Sequence, residues 1–372
     1  MRSLMLLSEK FIEHRDAVIL KRATLKLHGN NYGIALVESP APGFFGKDAG
    51  SLESVLVRKI AFSVNFRDIA LLSLFSKHMA GNIQAPAAMA FGSEFVAEVV
   101  AIGAGVTNLK VGDRVIPNGA YPGVDETKVK GGLPTNQASA EYEVFHQLQL
   151  IVVPPGISDA VAAAFTIGAQ TSYCIKRRLI VNEREKVLIV SGTSNTSLFC
   201  INALAGTGAN LTVLTAQHRR VPELLKQGAH EVFVVEDRSD PAGGAGLTQL
   251  RSRNLMFDAV IDPFSDLHLS RVIDLINMNG RYITCGLYNQ TDPSRISNIE
   301  PFPFLYHLIT KNLSVIGNCL GNTDDLLVAL DDHQRGKLNV IIDSVYDESN
   351  IQLFLEQAFS NKDRFGKVVF FY

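Results

Sequence analysis

The chain has 372 residues, enough to bury two cores of ordinary size, and 47% hydrophobic against 19% charged residues is a globular composition. With 35 Lys and Arg against 37 Asp and Glu the formal charge is −2, which supplies no global field for nucleic acid or an anionic membrane, so neither is expected as a partner. No apolar run approaches the roughly 20 residues that span a bilayer, and the run at 4–7 is too short for a signal-peptide core. A cytoplasmic protein is the expectation.

Residues 1–16 read as a short extension with helical character. From Ala17 onward AVILK, YGIALVES and SVLVRKIAFSVN are strand-like, separated by Gly- and Pro-bearing loops at 28–31 and 40–43. A helix is predicted over 66–75, then the strand FVAEVVAIG and a turn-strand unit at 110–116, so the chain is dominated by β-structure through Val153. Character changes at Pro154-Pro155-Gly156. Ser158-Asp159-Ala160 is a helix start, and helix-compatible sequence runs to Arg178.

Strands and helices then alternate: VLIV, a helix from Leu198, LTVLT, a helix over 221–227, EVFVV, FDAVIDPF, a helix over 267–278, GRYITCG and NLSVIG. Alternation of this kind predicts a parallel sheet with right-handed crossovers. The segment DPAGGAG at 240–246 reads as a flexible turn. After Gly321 come a helix over 324–334, the strand VIIDSVY, a helix over 350–361 and the strand KVVFFY. The α/β layout is a mostly-β domain, 1–155 and 321–372, split by an inserted domain at 156–320. The four cysteines, Cys174, Cys200, Cys285 and Cys319, lack metal-site spacing and read as small buried hydrophobes.

The first βα turn of the inserted domain, Ser191-Gly192-Thr193-Ser194-Asn195-Thr196-Ser197, stands where dinucleotide-binding folds carry G-x-G-x-x-G. Its three glycine places hold Gly192, Ser194 and Ser197. Serine is small, and its hydroxyl is a substitute hydrogen-bond partner for phosphate. Gly192, Ser194, Asn195, Thr196 and Ser197 are therefore cofactor-binding candidates, with a plain βαβ crossover as the alternative.

Several short motifs carry a resemblance: Val64-Asn65-Phe66-Arg67-Asp68, Gly92-Ser93-Glu94, Val111-Gly112-Asp113-Arg114-Val115, Ala140-Glu141-Tyr142, Gly336-Lys337-Leu338 and Phe365-Gly366-Lys367-Val368-Val369. In this order and spacing the chain resembles the medium-chain dehydrogenase/reductase superfamily, and its N-F-R-D segment is similar to that of quinone oxidoreductases and of the enoyl reductase domains of polyketide and fatty-acid synthases. The resemblance implies a GroES-like domain split by a Rossmann doubly wound domain. The places of the three catalytic zinc ligands look like Asn65, Ser93 and Ile167, a set unsuited to zinc, which implies the zinc-independent branch and no metal.

On that resemblance the chemistry is hydride transfer from NADPH to an enoyl thioester or enone, with quinone reduction as an alternative and a catalytically decayed scaffold as another. The second Rossmann strand ends in Thr215-Ala216-Gln217-His218-Arg219-Arg220, with no carboxylate for the ribose. Arg219 and Arg220 are candidates to hold a 2′-phosphate, or are a solvated pair opening a surface helix. Asn65 is a candidate beside the nicotinamide and substrate, or a helix cap; Thr171 is similar to the family threonine near the nicotinamide. Gly286, Gly317 and Asn318 lie at strand ends, where such sheets bind ligands.

The proton-donor tyrosine of many relatives aligns with Ser76; Lys77, His78 and water are the other sources. The cluster Lys176-Arg177-Arg178 is either a grip for a CoA or carrier-protein phosphate or a solvated helix end. Expected partners are a small-molecule or acyl-thioester substrate, a carrier protein as one bearer of it, and a second copy in a homodimer.

Overall fold

Leu4 and Leu6 are buried while Met5 and Leu7 between and after them are half-buried, a period-two pattern that suits one face of a sheet. In the computed structural model, which describes every residue except 14–15, 45–51, 83, 123–128, 130, 236–243 and 291–299, Arg2–Leu7 is accordingly strand β1. It pairs antiparallel with β3 (Asn30–Glu38) in the register Leu4↔Leu36. The helical expectation for residues 1–16 fails here because sheet pairing and burial override local propensity. Strand β2 (Val18–Leu27) joins β3 through a two-residue turn, His28-Gly29, with φ of 49° and 80°. Positive φ at both central positions is what a type I′ hairpin turn requires.

The chain divides into two compact units, 1–167 with 342–372, and 168–341. In the first, β4 (Ser54–Ser63) leads into α1 (Phe66–Gly81), followed by β5 (Ala88–Ala90), β6 (Glu94–Ile102), β7 (Arg114–Pro117), β8 (Tyr142–His146) and β9 (Leu150–Val152). Helix α2 (Asp159–Ala163) is capped by Ser158, whose hydroxyl accepts from the Val161 amide. It packs on β4 and β6.

The second unit opens within α3 (Thr166–Leu179) and continues through β10 (Lys186–Ile189), α4 (Asn195–Leu204), β11 (Asn210–Thr215), α5 (Val221–Lys226), β12 (Glu231–Val234), α6 (Gly244–Ser252), β13 (Phe257–Asp262), α7 (Ser265–Val272), β14 (Ile276–Thr284), α8 (Pro301–Thr310), β15 (Ser314–Gly317) and α9 (Thr323–Gln334). Its strands form one parallel sheet in the order β12-β11-β10-β13-β14-β15. The chain winds outward from β10 to β12, returns to β13 and proceeds to β15, so a topological switch point lies between β10 and β13. The helix predicted over 267–278 ends earlier, with β14 starting at Ile276. Gly244 to Gly246, expected within a turn, begin α6, and 240–243 lie outside the described residues.

The chain closes the first unit with β16 (Ile342–Tyr346), α10 (Ile351–Leu355) and β17 (Lys367–Phe371), giving a seven-stranded sheet, β16-β17-β4-β6-β7-β9 with β8 on β4. Beside it stands the four-stranded sheet β2-β3-β1-β5. Phe62, Phe91, Phe354 and Phe370 lie at the centre of this unit's core. The fold is a GroES-like, mostly-β domain split by a Rossmann domain.

Both expected domain boundaries shift. Residues 156–167 stay with the β-rich unit, where the Ile167 amide donates to Glu94 Oε2 at 3.0 Å. Residues 321–341 stay with the Rossmann unit, where Arg177 grips Asp325 through two 2.8 Å bonds and Tyr173 donates to Asp332 at 2.8 Å. Cys174 and Cys200 are buried as expected; Cys285 is half-buried and Cys319 exposed, contrary to expectation. Among the described residues no helix is long and apolar enough to cross a membrane.

Candidate active site

Strand pairing in the β-rich unit assembles a polar cluster from three distant parts of the chain. β4 pairs with β6 in the register Ser63↔Glu94 and with β17 in the register Val369↔Ser63, which carries Lys367 against Asn65. Lys367 and Glu94 are 1% and 0% exposed and form an ion pair. Lys367 Nζ also donates to Asn65 Oδ1 at 2.6 Å. Glu94 Oε1 accepts from Ser63 Oγ at 2.7 Å and from Asn65 Nδ2 at 3.0 Å. A buried charge persists only when paired and hydrogen-bonded, and both conditions hold here.

Asn65 stands at the N-cap of α1, but its side chain makes no cap bond. Instead Asp68 reaches back, accepting from the Asn65 amide at 2.7 Å, which releases the carboxamide for the cluster. Asn65 Nδ2 also lies 3.4 Å from Ser93 Oγ, which donates to Asp68 at 3.1 Å. Burial pushes the Asp68 carboxyl up to about 6, against the pull of the Arg67 guanidinium and its hydrogen bonds. The three places that looked like zinc positions, Asn65, Ser93 and Ile167, thus gather around Glu94 and Asp68. Ser76 does not join them: eleven residues along α1, it lies about 16 Å from Asn65 at 1.5 Å per residue. Lys77 and His78 are exposed, and Met79 is packed in the core.

In the Rossmann unit the turn after β10 folds as strand, turn and helix. A Cβ on Gly192 would meet Val213 Cγ1 at 2.2 Å and Leu214 O at 3.2 Å, so close packing of the turn on β11 dictates glycine. Ser194 caps α4, its hydroxyl accepting from the Ser197 amide at 3.2 Å. The fully buried Ser197 donates its hydroxyl to Val190 O at 2.8 Å. Both serine hydroxyls are spent within the turn, unlike the phosphate partners expected of them. Asn195 and Thr196 open the helix, where backbone amides have no intrahelical acceptor. An anion at this turn would meet amides, not hydroxyls.

The parallel sheet brings the ends of β10, β11, β13, β14 and β15 to one edge, and with them the turn, Arg219 and Arg220, Gly286, Gly317 and Asn318. Arg219 is exposed; Arg220 pairs with Glu223 at 2.9 Å. Gly286 is required because a Cβ there would meet Pro263 O at 2.7 Å, whereas Gly317 faces open space. The buried Asn318 accepts from Cys174 Sγ and Arg178 Nη1, each at 3.1 Å. Thr171 is buried on α3. The cluster at 176–178 is engaged internally: Lys176 lies 5.2 Å over the Tyr173 ring, Arg177 holds Asp325 and Arg178 donates to Gly317 O.

Comparison with known proteins agrees with this arrangement. The family model for the alcohol dehydrogenase GroES-like domain matches residues 51–155. The chain is 26% identical over 272 residues, 70% of its length, to the mycocerosic acid synthase-like polyketide synthase of Mycobacterium tuberculosis, and spans 11% of that protein. It is 23% identical over 362 residues to acryloyl-coenzyme A reductase of Metallosphaera sedula, covering 94% of this chain and 99% of that one. The solved structure of an NAD-dependent alcohol dehydrogenase matches with a TM-score of 0.74 at 20% identity, over 95% of this chain and 100% of that one.

Over residues 51–155 the chain carries the GroES-like domain of alcohol dehydrogenases, and the relatives it resembles fall within the medium-chain dehydrogenase/reductase superfamily. Homologues in this superfamily use nicotinamide cofactors. The Rossmann unit has the features such a cofactor needs: the strand order, the cramped Gly192 turn and the opening amides of α4 meet at one edge of the sheet.

Two features of the site escaped the sequence reading. One is the joint role of Glu94 and Lys367, whose signal was a charge at the head of each of two apolar strands, EFVAEVV and KVVFF. The other is Ser191, at φ 52°, whose hydroxyl lies 2.8 Å from His268 Nε2 on α7 and ties the phosphate turn to the segment after β13. No sequence spacing announces a contact between residues so far apart.

Proposed function

We propose that the chain is an NADPH-dependent, zinc-independent reductase acting on the activated carbon-carbon double bond of an enoyl thioester or enone. The observation that carries this reading is the Asn65 carboxamide, fixed between Lys367 and Glu94 where a zinc enzyme of the superfamily needs a ligand. Amide, hydroxyl and aliphatic side chains at Asn65, Ser93 and Ile167 make a poor zinc set. They suit a site that stabilises developing enolate charge by hydrogen bonding. When bound, NADPH supplies the hydride to the β-carbon. Asn65 orients the acceptor carbonyl, the opening amides of α4 hold the pyrophosphate, and Arg219, with Arg220 in part, holds the 2′-phosphate. The α-carbon takes its proton from water, since Ser76 is remote from Asn65.

The likeness to a polyketide synthase region and, across almost the whole chain, to acryloyl-coenzyme A reductase favours an acyl thioester, carried by coenzyme A or a carrier protein. A second copy of the chain completes a homodimer. Quinones are the alternative acceptor. A decayed scaffold is favoured by one observation only, the inward turn of both Ser194 and Ser197 hydroxyls.

The chain has no tryptophan, so NADPH emission is read directly by titration. The wild type is expected to bind NADPH over NADH and to consume it with enoyl-CoA faster than with enals or quinones. Replacing both Arg219 and Arg220 by Ala is expected to weaken NADPH binding at least about tenfold, or 1.4 kcal/mol, with NADH binding unchanged. Binding without turnover on any acceptor moves the assignment to the scaffold; no binding removes the coenzyme claim.

A further inference from the structure

We infer that Lys367 is a positioning residue which, with Glu94, locks the Asn65 carboxamide in its donor orientation; this rests on the reading of Asn65 as the group that meets the acceptor carbonyl. An asparagine amide has two nearly isosteric ends, and in an uncharged setting it flips between them. Here the choice is forced. Lys367 carries only donors and binds Oδ1 at 2.6 Å, and ionised Glu94 carries only acceptors and binds Nδ2 at 3.0 Å. The flipped amide would set N–H against ammonium and carbonyl against carboxylate.

Three strands hold the clamp. Ser63 Oγ donates to the same Glu94 oxygen at 2.7 Å and lies 3.4 Å from Lys367 Nζ, and the Ile167 amide fixes the other Glu94 oxygen at 3.0 Å. The ammonium on Oδ1 also draws electron density from the amide, which makes its N–H a stronger donor. The longest side-chain link of Asn65 itself is that from Nδ2 to Ser93 Oγ, at 3.4 Å, and it is the one a carbonyl oxygen displaces. A buried ion pair is a poor means of stabilising a fold compared with packed apolar side chains. Orientation of Asn65 is what this pair adds.

The test uses the full chain and the double variant K367M/E94Q, since Lys367→Met alone strands the buried Glu94 charge and endangers folding. In protein labelled with ¹⁵N at asparagine, the Asn65 side-chain NH₂ pair is assigned by its disappearance in N65A. In the wild type its hydrogens are expected to exchange slowly, and in K367M/E94Q exchange is expected to quicken at least tenfold and the shift to move toward that of an exposed asparagine. With NADPH and an enoyl-CoA, kcat of K367M/E94Q is expected to fall at least tenfold while KM stays within twofold, and N65A/K367M/E94Q to be no slower than N65A. An unchanged Asn65 amide pair, or losses that multiply in the N65A background, overturns the inference. A wild type that reduces no acceptor overturns the proposed function instead, and the amide exchange still decides the role of Lys367.

Discussion

Asp262, the last residue of β13, is fully buried and accepts from Tyr282 Oη at 2.5 Å and from the Phe264 amide at 2.8 Å. Burial pushes its carboxyl up to about 7, although both hydrogen bonds pull the other way. The unfolded chain titrates this group near the ordinary value of 3.8. Between these values the folded state keeps a proton that the unfolded state has lost, so stability from this residue falls as pH rises, by at most about 1.4 kcal/mol per pH unit. Asp262→Asn removes the titration. Urea midpoints at pH 5 and pH 8 are expected to show the wild type losing stability relative to the variant at the higher pH. A difference that stays flat between the two would mean the carboxyl ionises normally.

The turn into α4 behaves as an element in which each small residue has a separate mechanical task. Gly192→Ala places a Cβ against Val213, and overpacking of this kind costs about 1–3 kcal/mol. Chemical denaturation is expected to show that loss, with weaker NADPH binding as the turn moves off β11. Ser197→Gly restores the glycine of the common fingerprint but deletes the bond to Val190 O and puts glycine inside a helix, a cost of about 1–2 kcal/mol. Its NADPH affinity is expected to stay within about threefold of the wild type, because the lost hydroxyl points into the fold. Tenfold tighter binding would show that Ser197 obstructs the phosphate.

For the whole molecule, association is the property the exposed edge of the Rossmann sheet bears on. β15 pairs only with β14 among the described strands, with Val315 42% exposed, and α8 nearby in sequence exposes Phe302, Tyr306 and Ile309. An unpaired edge beside apolar side chains is the kind of surface that a second copy would cover about a two-fold axis, and a dimer through it is the expectation. Sedimentation equilibrium of the wild type is expected to give twice 40.6 kDa, and Phe302→Lys with Ile309→Lys to give the monomer. A wild type that sediments as a monomer removes the dimer.

The sequence by itself determined most of the strands, the alternation of the inserted Rossmann unit and the resemblance to the superfamily, because hydrophobic periodicity, turn residues and short motifs are local signals; it missed α6 and α8. It also placed Asn65 and the turn at Gly192 correctly within their elements. Only the tertiary structure decided that residues 1–7 form a strand, since β3 supplies the pairing partner. It likewise decided which hydroxyls face inward, that Ser76 lies three helical turns from Asn65, and where each unit begins and ends. Lys367 illustrates the reason: its ammonium meets Asn65 and Glu94 only because antiparallel pairing brings residues 302 and 273 positions away beside it. A lysine in an apolar strand announces that it needs a partner, and the sheet alone names which one.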